Sequence, residues 1–312
     1  MSPKKTVTVV VPVFNGAALI ETTLSSVVDQ SFTDWHCLLI NDGSTDNSLE
    51  LINKFIQKHQ DFSFSVITTS NQGPGAARNV GIDNSNSPFF AFLDQDDIWH
   101  REKLALQIDY LRKNTEIDGV LCHFEIASTR ADGTLLANRL IKNSNLKNLA
   151  RKWISLEGNG AFISSCLLFR NNLSDKVRFN PDYSHVADLD YYLRFEAVSL
   201  VGCIHENLVT YRQHDRQMHN DSVGLKLEYP VFLSGINLTT YNLKERRVLG
   251  NVYAMAALLE IRSGSFVLAL KDLIISLRFR PVAILVIPIC ILQKRIIGLL
   301  NQKNHTQHAL NV

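Results

Sequence analysis

The chain has almost no net charge, no paired cysteine motif, no nucleotide-binding glycine fingerprint and no apolar run long enough for a bilayer. Each absence closes off a class of function. Lysine and arginine number 32 against 30 aspartate and glutamate, a formal charge of +2. A nucleic-acid partner calls for a basic face, so none is expected. The five cysteines, Cys37, Cys122, Cys166, Cys203 and Cys290, are odd in number and form no CxxC pair. They read as reduced core residues of a cytoplasmic protein. No secretory leader is expected, because polar, basic Ser2-Pro3-Lys4-Lys5 runs straight into a strand. No GxGxxG follows the first strand and no Walker lysine pattern occurs, which argues against dinucleotide binding and ATP hydrolysis. The apolar run Val282 to Leu292 is interrupted by Pro288. It falls short of the ~20 residues a membrane helix needs. Two readings of it remain. It packs on the globular domain, or residues 278–300 lie in a membrane interface, with Arg278, Arg280, Lys294 and Arg295 near the headgroups. The second reading would place the protein peripherally on the inner face of the cell membrane.

What the chain does have is alternation. Thr6 to Val13 is a β-branched run that reads as a buried strand. Asn15-Gly16 turns the chain, and Ala17 to Val28 has helical spacing. His36 to Ile40 is a second strand, followed by Asn41-Asp42-Gly43-Ser44 and a helix with Leu49, Ile52 and Ile56 on one face. Phe64 to Thr68 is a third strand, Asn71 to Gly75 a glycine-rich loop, Ala76 to Ile82 a short helix and Phe89 to Leu93 a fourth strand. This order predicts an α/β fold with a doubly wound, mostly parallel sheet flanked by helices. Further on, helices are expected at about Trp99 to Lys113 and Asp188 to Ser199, and strands at Gly119 to Ile126, Ser164 to Arg170 and Ile204 to Tyr211. Ala131-Asp132-Gly133-Thr134 reads as a hairpin turn, and the pattern from about Leu225 is helical. Ligands bind such sheets at the carboxyl ends of the strands. The loops after the first four strands should therefore converge.

The fourth of these loops is Asp94-Gln95-Asp96-Asp97. Three carboxylates at the mouth of a buried strand must be solvated, paired or bound to a cation. Oxygen ligands suit a hard divalent ion such as Mg²⁺ or Mn²⁺, which in turn binds phosphate oxygens. The competing reading is an acidic turn with Asp97 capping a helix that begins near Ile98. Arg78 stands at a helix start, where amides and a guanidinium both favour phosphate; a surface arginine is the alternative. Asp188 and Asp190 also open a helix, as catalytic groups or as a cap and a first-turn acid.

Taken together, these loops resemble the inverting, metal-dependent nucleotide-sugar glycosyltransferases of family 2, which have the GT-A fold. The matching segments are Val9 to Asn15, Leu39 to Asp46, Asn71 to Gly81 and Phe92 to Asp97, with weaker matches to about His214. The resemblance implies a GT-A domain over residues 1–220, its nucleotide-sugar half in 1–115 and its acceptor half in 116–220. Residues 221–312 would then form a helical extension. Pro12, Phe14, Asn15, Asp42, Arg78, Asp94 and Arg212 are the implied donor contacts. Among them Asp42 would read the nucleobase, Arg78 would meet the base or diphosphate, and Asp94 would lie on the ribose side. Asp96 and His214 are the implied ligands of Mn²⁺ or Mg²⁺ in a DXD-type motif, although a surface histidine is the competing reading of His214. Asp97 would cap the next helix. Phe14 keeps a stacking ring where tyrosine is usual. Ala187-Asp188-Leu189-Asp190 fills the place of a Glu-Asp-x-Asp motif. That makes Asp188 the implied general base and leaves alanine where glutamate is usual.

The expected reaction moves a sugar from a nucleotide-diphosphate donor, with UDP the expected nucleotide, to a hydroxyl of a glycan or lipid-linked acceptor, as in surface polysaccharide synthesis. A nucleotidyltransferase is a rival reading. It would need a basic glycine-rich loop after the first strand, where Pro12-Val13-Phe14-Asn15-Gly16 stands instead. The other rival is a non-catalytic GT-A-like binding protein. The complete set of carboxylates argues against it, and Ala187 keeps it open.

Overall fold

The computed structural model describes residues 5–129, 135–142, 163–173 and 176–214, together with 228, 232, 273 and 274. The chain divides into two compact units, one of Met1–Trp153 with Gly158–Glu228 and one of Ile154–Glu157 with Tyr229–Val312. All elements below belong to the first.

In chain order they are β1 (Val7–Val13), α1 (Ile20–Val28), β2 (Trp35–Asn41), α2 (Ser48–Lys58), β3 (Phe64–Thr68), α3 (Pro74–Asp83), β4 (Phe89–Phe92), β5 (Asp97–Trp99), α4 (Lys103–Lys113), β6 (Gly119–Thr129), β7 (Leu135–Ile141), β8 (Leu168–Arg170), α5 (Ala187–Val198) and β9 (Val201–Gln213). The sheet runs β3-β2-β1-β4-β8-β6-β9-β5, with β7 also on β6. Pairing is parallel from β3 to β4, as the strand–helix alternation requires. Beyond β4 it is antiparallel except between β6 and β9, so the sheet as a whole is mixed.

Every residue of β1 is buried. A strand covered on both faces has no reason to alternate, and Val7–Val13 does not. The ladders run one residue past the strands: the amides of Asp42, Thr69 and Leu93 donate to the carbonyls of Val13, Asn41 and Val10 at 2.8, 2.9 and 3.0 Å. This keeps the loops after β1, β2, β3 and β4 on one edge. Pairing between β1 and β4 ends at Val10 and Phe92. Pro12 therefore has a strand partner on one side only, through Ile40, and its missing N–H is tolerated there. The sheet opens at that point.

The structure moves several boundaries: α1 begins at Ile20, β9 at Val201 and α3 at Pro74, which puts Arg78 in the second turn of α3 and not at its start. Two further changes bear on the site. The helix expected from about Trp99 begins at Lys103, and Asp97–Trp99 is instead a strand paired antiparallel with β9, Asp97 opposite Tyr211. Asp97 therefore caps no helix; the first turn of α4 is met instead by Gln30 Oε1, which accepts from the Leu104 amide at 3.0 Å. The strand expected at Ser164 to Arg170 splits into a 3₁₀ turn, Ser164–Cys166, and the short β8. Cys37, Cys122 and Cys166 are buried and in no disulfide among the described residues, in line with the reading as reduced core residues, and Cys203 is half-buried. The hairpin turn at 131–134, the helical pattern after Leu225 and the apolar run from Val282 fall outside the described residues, apart from the four isolated positions. β6 and β7, which flank that turn, do pair antiparallel. No described helix is long and apolar enough to cross a membrane.

Gly81 sets how closely α3 lies on the sheet. A Cβ there would stand 2.2 Å from Val10 Cγ1. Val10 lies in a central strand that cannot yield. Gly81→Ala is expected to lower stability by about 1–3 kcal/mol, read as a fall in the urea midpoint at unchanged slope.

Candidate active site

Asp42 follows β2 and is buried. Its carboxylate accepts from the amides of Gln72 (3.1 Å to each oxygen) and Gly73 (2.8 Å) and from Thr69 Oγ1 (2.9 Å). It thus fixes the loop that leads into α3, and Gly73 takes φ +92° to make that turn. In the first loop Asn15 takes φ 50°. Asn15 Oδ1 accepts from the amides of Thr45 and Asp46 at 2.8 and 3.3 Å, tying the first loop to the second. Phe14 stands at the rim, 40 % exposed. Its N–H and C=O bond Oε1 and Nε2 of Gln95 at 2.9 and 3.0 Å, which joins the first loop to the fourth. Pro12 is buried in the wall beneath.

The acidic loop is held from below. Ser165 Oγ accepts from the Asp94 amide at 3.1 Å and donates to Asp97 Oδ2 at 2.5 Å. Trp99 Nε1 donates to the Ser165 carbonyl at 3.0 Å. Asp97 is fully buried, and its Oδ1 has no partner among the described residues. Burial, then the charges of Asp96 and Asp94, raises Asp97 well above the usual carboxylate range. Arg212, on β9, turns inward. It donates to the Asp96 carbonyl (2.5 Å), the Leu19 carbonyl (3.1 Å) and Thr23 Oγ1 (2.6 Å). In this arrangement the guanidinium braces the acidic loop against α1.

Arg78, on α3, is the centre of the site. It is 4 % exposed, with Nη2 2.5 Å from Asp94 Oδ1 and Nη1 3.0 Å from Asp188 Oδ1. Its guanidinium lies 5.2 Å over the Phe179 ring. That ring is stacked on Tyr191 of α5 at 4.0 Å. Burial works against the charge of Arg78, but Asp188 and Asp94 more than offset it and raise its pKa. Burial pushes the Asp94 carboxyl up to about 6, helped by Asp188 and Asp96 and opposed by Arg78.

Asp188 sits in the first turn of α5 and is partly exposed. Ala187 beside it is buried, 3.5 Å from where a Cβ on Gly75 would be. A glutamate at 187 would have to drive α5 off α3. Asp190 is committed elsewhere, in an ion pair with Arg194 one turn on. The N-terminus of α5 has no cap of its own. Glu228 supplies one from the chain beyond β9. Its carboxylate accepts from the amides of Ser184 (2.9 Å), His185 (2.7 Å) and Val186 (3.1 Å) and meets His185 Nδ1 at 3.1 Å.

Asp42, Arg78, Asp94, Asp96, Asp188 and His214 are thus tied into one edge of the sheet. The expected cation can be tested against these groups. Asp96 Oδ2 and His214 Nε2 lie 2.9 Å apart. Adjacent ligands of an octahedral ion at ~2.1 Å stand about 3 Å apart, so the two atoms fit one coordination edge. The carboxyls of Asp94, Asp96, Asp97 and Asp188 also outnumber the guanidinium groups of Arg78 and Arg212 around them. A divalent ion balances that set, and protons held by the raised carboxyls balance it otherwise. Glu228 and Ser165 lie in no motif, and Gln95 within the acidic loop drew no role from its residue type. Only the fold reveals them.

The model of glycosyl transferase family 2 matches residues 8–178. An Escherichia coli relative, named UDP-Glc:alpha-D-GlcNAc-diphosphoundecaprenol beta-1,3-glucosyltransferase WfgD, is 30% identical over 45% of this chain and 56% of its own length. The chain spans about half the length of the curated relatives it matches. Among solved structures, S. aureus TarS 1-349 in complex with UDP-GlcNAc superposes over 88% of this chain and 90% of its own, at 15% identity and a TM-score of 0.58. Mannosyltransferase PcManGT from Pyrobaculum calidifontis, in complex with GDP-Man and Mn²⁺, covers 93% and 81% at 16% identity and a TM-score of 0.57. These likenesses show the fold, which is the α/β arrangement expected from the sequence.

The Glu228 cap yields an expected outcome. Burial disfavours its charge, but the bonds from His185, Ser184 and Val186 prevail and hold its pKa below the usual value. A depressed acid contributes stability above its unfolded pKa, near 4.3 for glutamate, and loses it as pH falls through the folded value. Glu228→Gln should cost about 1–2 kcal/mol at pH 7, and the gap from the parent should close in acid. Urea melts at several pH values check both.

Proposed function

The chain belongs to glycosyl transferase family 2. On that premise we propose that it transfers a monosaccharide from a nucleoside diphosphate donor to a hydroxyl of a glycan or lipid-linked acceptor, with inversion at the anomeric carbon. The observation that carries this reading is the Arg78 bridge, which ties Asp94 of the acidic loop and Asp188 of α5 into one site.

Donor binding falls to the edge that β1, β2 and α3 build. The exposed Phe14 ring offers a face for the base, and the Asp42-fixed loop lies beside it. Asp96 and His214 would hold a divalent ion. When bound, the ion neutralises charge on the diphosphate, and an imidazole in the set favours a transition ion such as Mn²⁺ over Mg²⁺. Asp188 accepts the proton of the acceptor hydroxyl as the new bond forms. Arg78 keeps that carboxylate oriented, and direct attack opposite the leaving group needs no second catalytic carboxylate. Asp97 lies below, bonded to Ser165, as part of the support of the acidic loop.

The E. coli relative is named for UDP-Glc and the TarS structure holds UDP-GlcNAc, which supports a UDP donor. A diphosphoundecaprenol acceptor in the former supports a lipid-linked one. PcManGT with Mn²⁺ supports the metal. A lipid-linked acceptor would also suit a peripheral position on the inner face of the membrane, held through the basic-flanked residues 278–300.

Asp188→Asn should lower turnover about 10²–10⁴-fold without weakening donor binding. Isothermal titration beside a product assay checks this, and parallel losses of both would remove Asp188 from the base role. Asp96→Asn should abolish the Mn²⁺-dependent part of donor binding. Donor affinity in the parent that is indifferent to Mn²⁺ would remove the metal assignment.

A further inference from the structure

The far end of β9 carries a second cluster that the donor site does not use. His123 on β6 and Cys203 and His205 on β9 place their ligand atoms within 4.8 Å of one another. Chain geometry explains the gathering. Alternation puts Cys203 and His205 on one face of β9. Gly202, between Val201 and Cys203, faces α4, because a Cβ there would stand 2.5 Å from Tyr110 Oη. Cys203 therefore faces away from α4. Cys122 points at the Cys166 carbonyl, 3.6 Å away, so its neighbour His123 takes the opposite face, toward Cys203. The β6–β9 register then breaks. Cys122 pairs with Ile204 but His123 pairs with Asn207, which leaves His205 and Glu206 unmatched on β9. That irregularity swings His205 over His123, their rings 5.3 Å apart and edge to face.

We propose that His123, Cys203 and His205 form a soft-metal site that takes Zn²⁺, with solvent as the fourth ligand. Two imidazoles and a thiolate are a nitrogen–sulfur set of the kind tetrahedral zinc prefers. At Zn–N of ~2.0–2.1 Å and Zn–S of ~2.3 Å the ligand atoms stand about 3.3–3.6 Å apart. The observed spread closes to that with roughly an ångström of movement, and exposed His205 can supply it. Burial, with the charges of His205 and Lys142, lowers the His123 pKa and keeps the imidazole neutral, as a ligand must be. Burial pushes the Cys203 thiol up to about 12, so metal binding would release one proton to solvent as the Zn–S bond forms. Lys142 is the opposing charge, and it lies exposed. The site is distinct from the donor site, roughly 25–30 Å along β9 from Arg212 at ~3.3 Å per residue. It does not rest on the glycosyltransferase reading. Its effect would be to pin β6 to β9 where their ladder is interrupted.

Co²⁺ is the probe, because thiolate coordination gives it a near-ultraviolet charge-transfer band that oxygen and imidazole ligands do not. Full-length protein, stripped by a chelator and kept reduced, is titrated with Co²⁺ and then with Zn²⁺. The expected result is a thiolate band saturating at one equivalent and bleached by Zn²⁺. The band should be lost in Cys203→Ser and reached only at ten-fold or more higher Co²⁺ in His205→Ala. Zn²⁺ at a hundredfold excess over Kd should also raise Tm of the parent by about 5 °C more than it raises that of Cys203→Ser. His205 is exposed, so its variant should keep the fold. The absence of a thiolate band would overturn the proposal, as would a band that survives Cys203→Ser or equal affinity in His205→Ala.

Discussion

One buried cation holds the two sides of this site together. Arg78 is almost wholly removed from water and faces two carboxylates from different parts of the chain, Asp94 after β4 and Asp188 at the start of α5. A guanidinium in that position is costly unless its donors are met. Two of them are, and the Phe179 ring covers its face. Nε has no partner among the described residues, so the pair of carboxylates carries most of the compensation. Removing either one would leave a buried, unmatched charge, a loss of several kcal/mol in comparable cases. The position of α5 against α3 is therefore an electrostatic requirement as well as a packing one. Gly75 and Ala187 provide the close approach that the bridge needs.

That geometry explains why alanine stands at 187. The residue is buried in the seam between α3 and α5, not directed at the opening. A carboxylate would be desolvated there beside Asp188 and would compete with it for Arg78. The departure from the Glu-Asp-x-Asp pattern thus leaves Asp188 as the one acid at the start of α5 that faces Arg78, since Asp190 is bound to Arg194.

The parallel half of the sheet was legible in the sequence because doubly covered strands are continuously apolar and end in turn residues. Val7–Val13 and Phe89–Phe92 announce themselves. The three residues of β5 do not. Asp97-Ile98-Trp99 has no strand signature, and its partner, β9, lies more than a hundred residues away. An acid before an apolar run looks like a helix cap, and only burial against Ser165 makes it something else. Candidate site residues were legible where residue type alone constrains chemistry, as with Asp94, Asp96, Asp188 and Arg78. Those that act by position were not. Glu228 caps α5 from across the chain, and Gln95 clips the first loop to the fourth. Cys203 read as one more core thiol because the shift in β9 that brings His205 beside it is invisible in one dimension.

On the proposed assignment, the bridge also couples donor and acceptor. Arg78 cannot lose its proton, so it takes no part in proton transfer and acts only by where it points. Bonded to Asp188, it holds that carboxylate in one orientation. A diphosphate arriving at the loop beside Asp42 brings new negative charge to the same edge of the sheet. Any share of Arg78 that it draws away loosens the hold on the Asp188 carboxylate. Asp188 would then be released toward the acceptor hydroxyl only when the donor is in place. A single guanidinium serving two carboxylates makes that order of events a property of the charge arrangement, with no moving lid required.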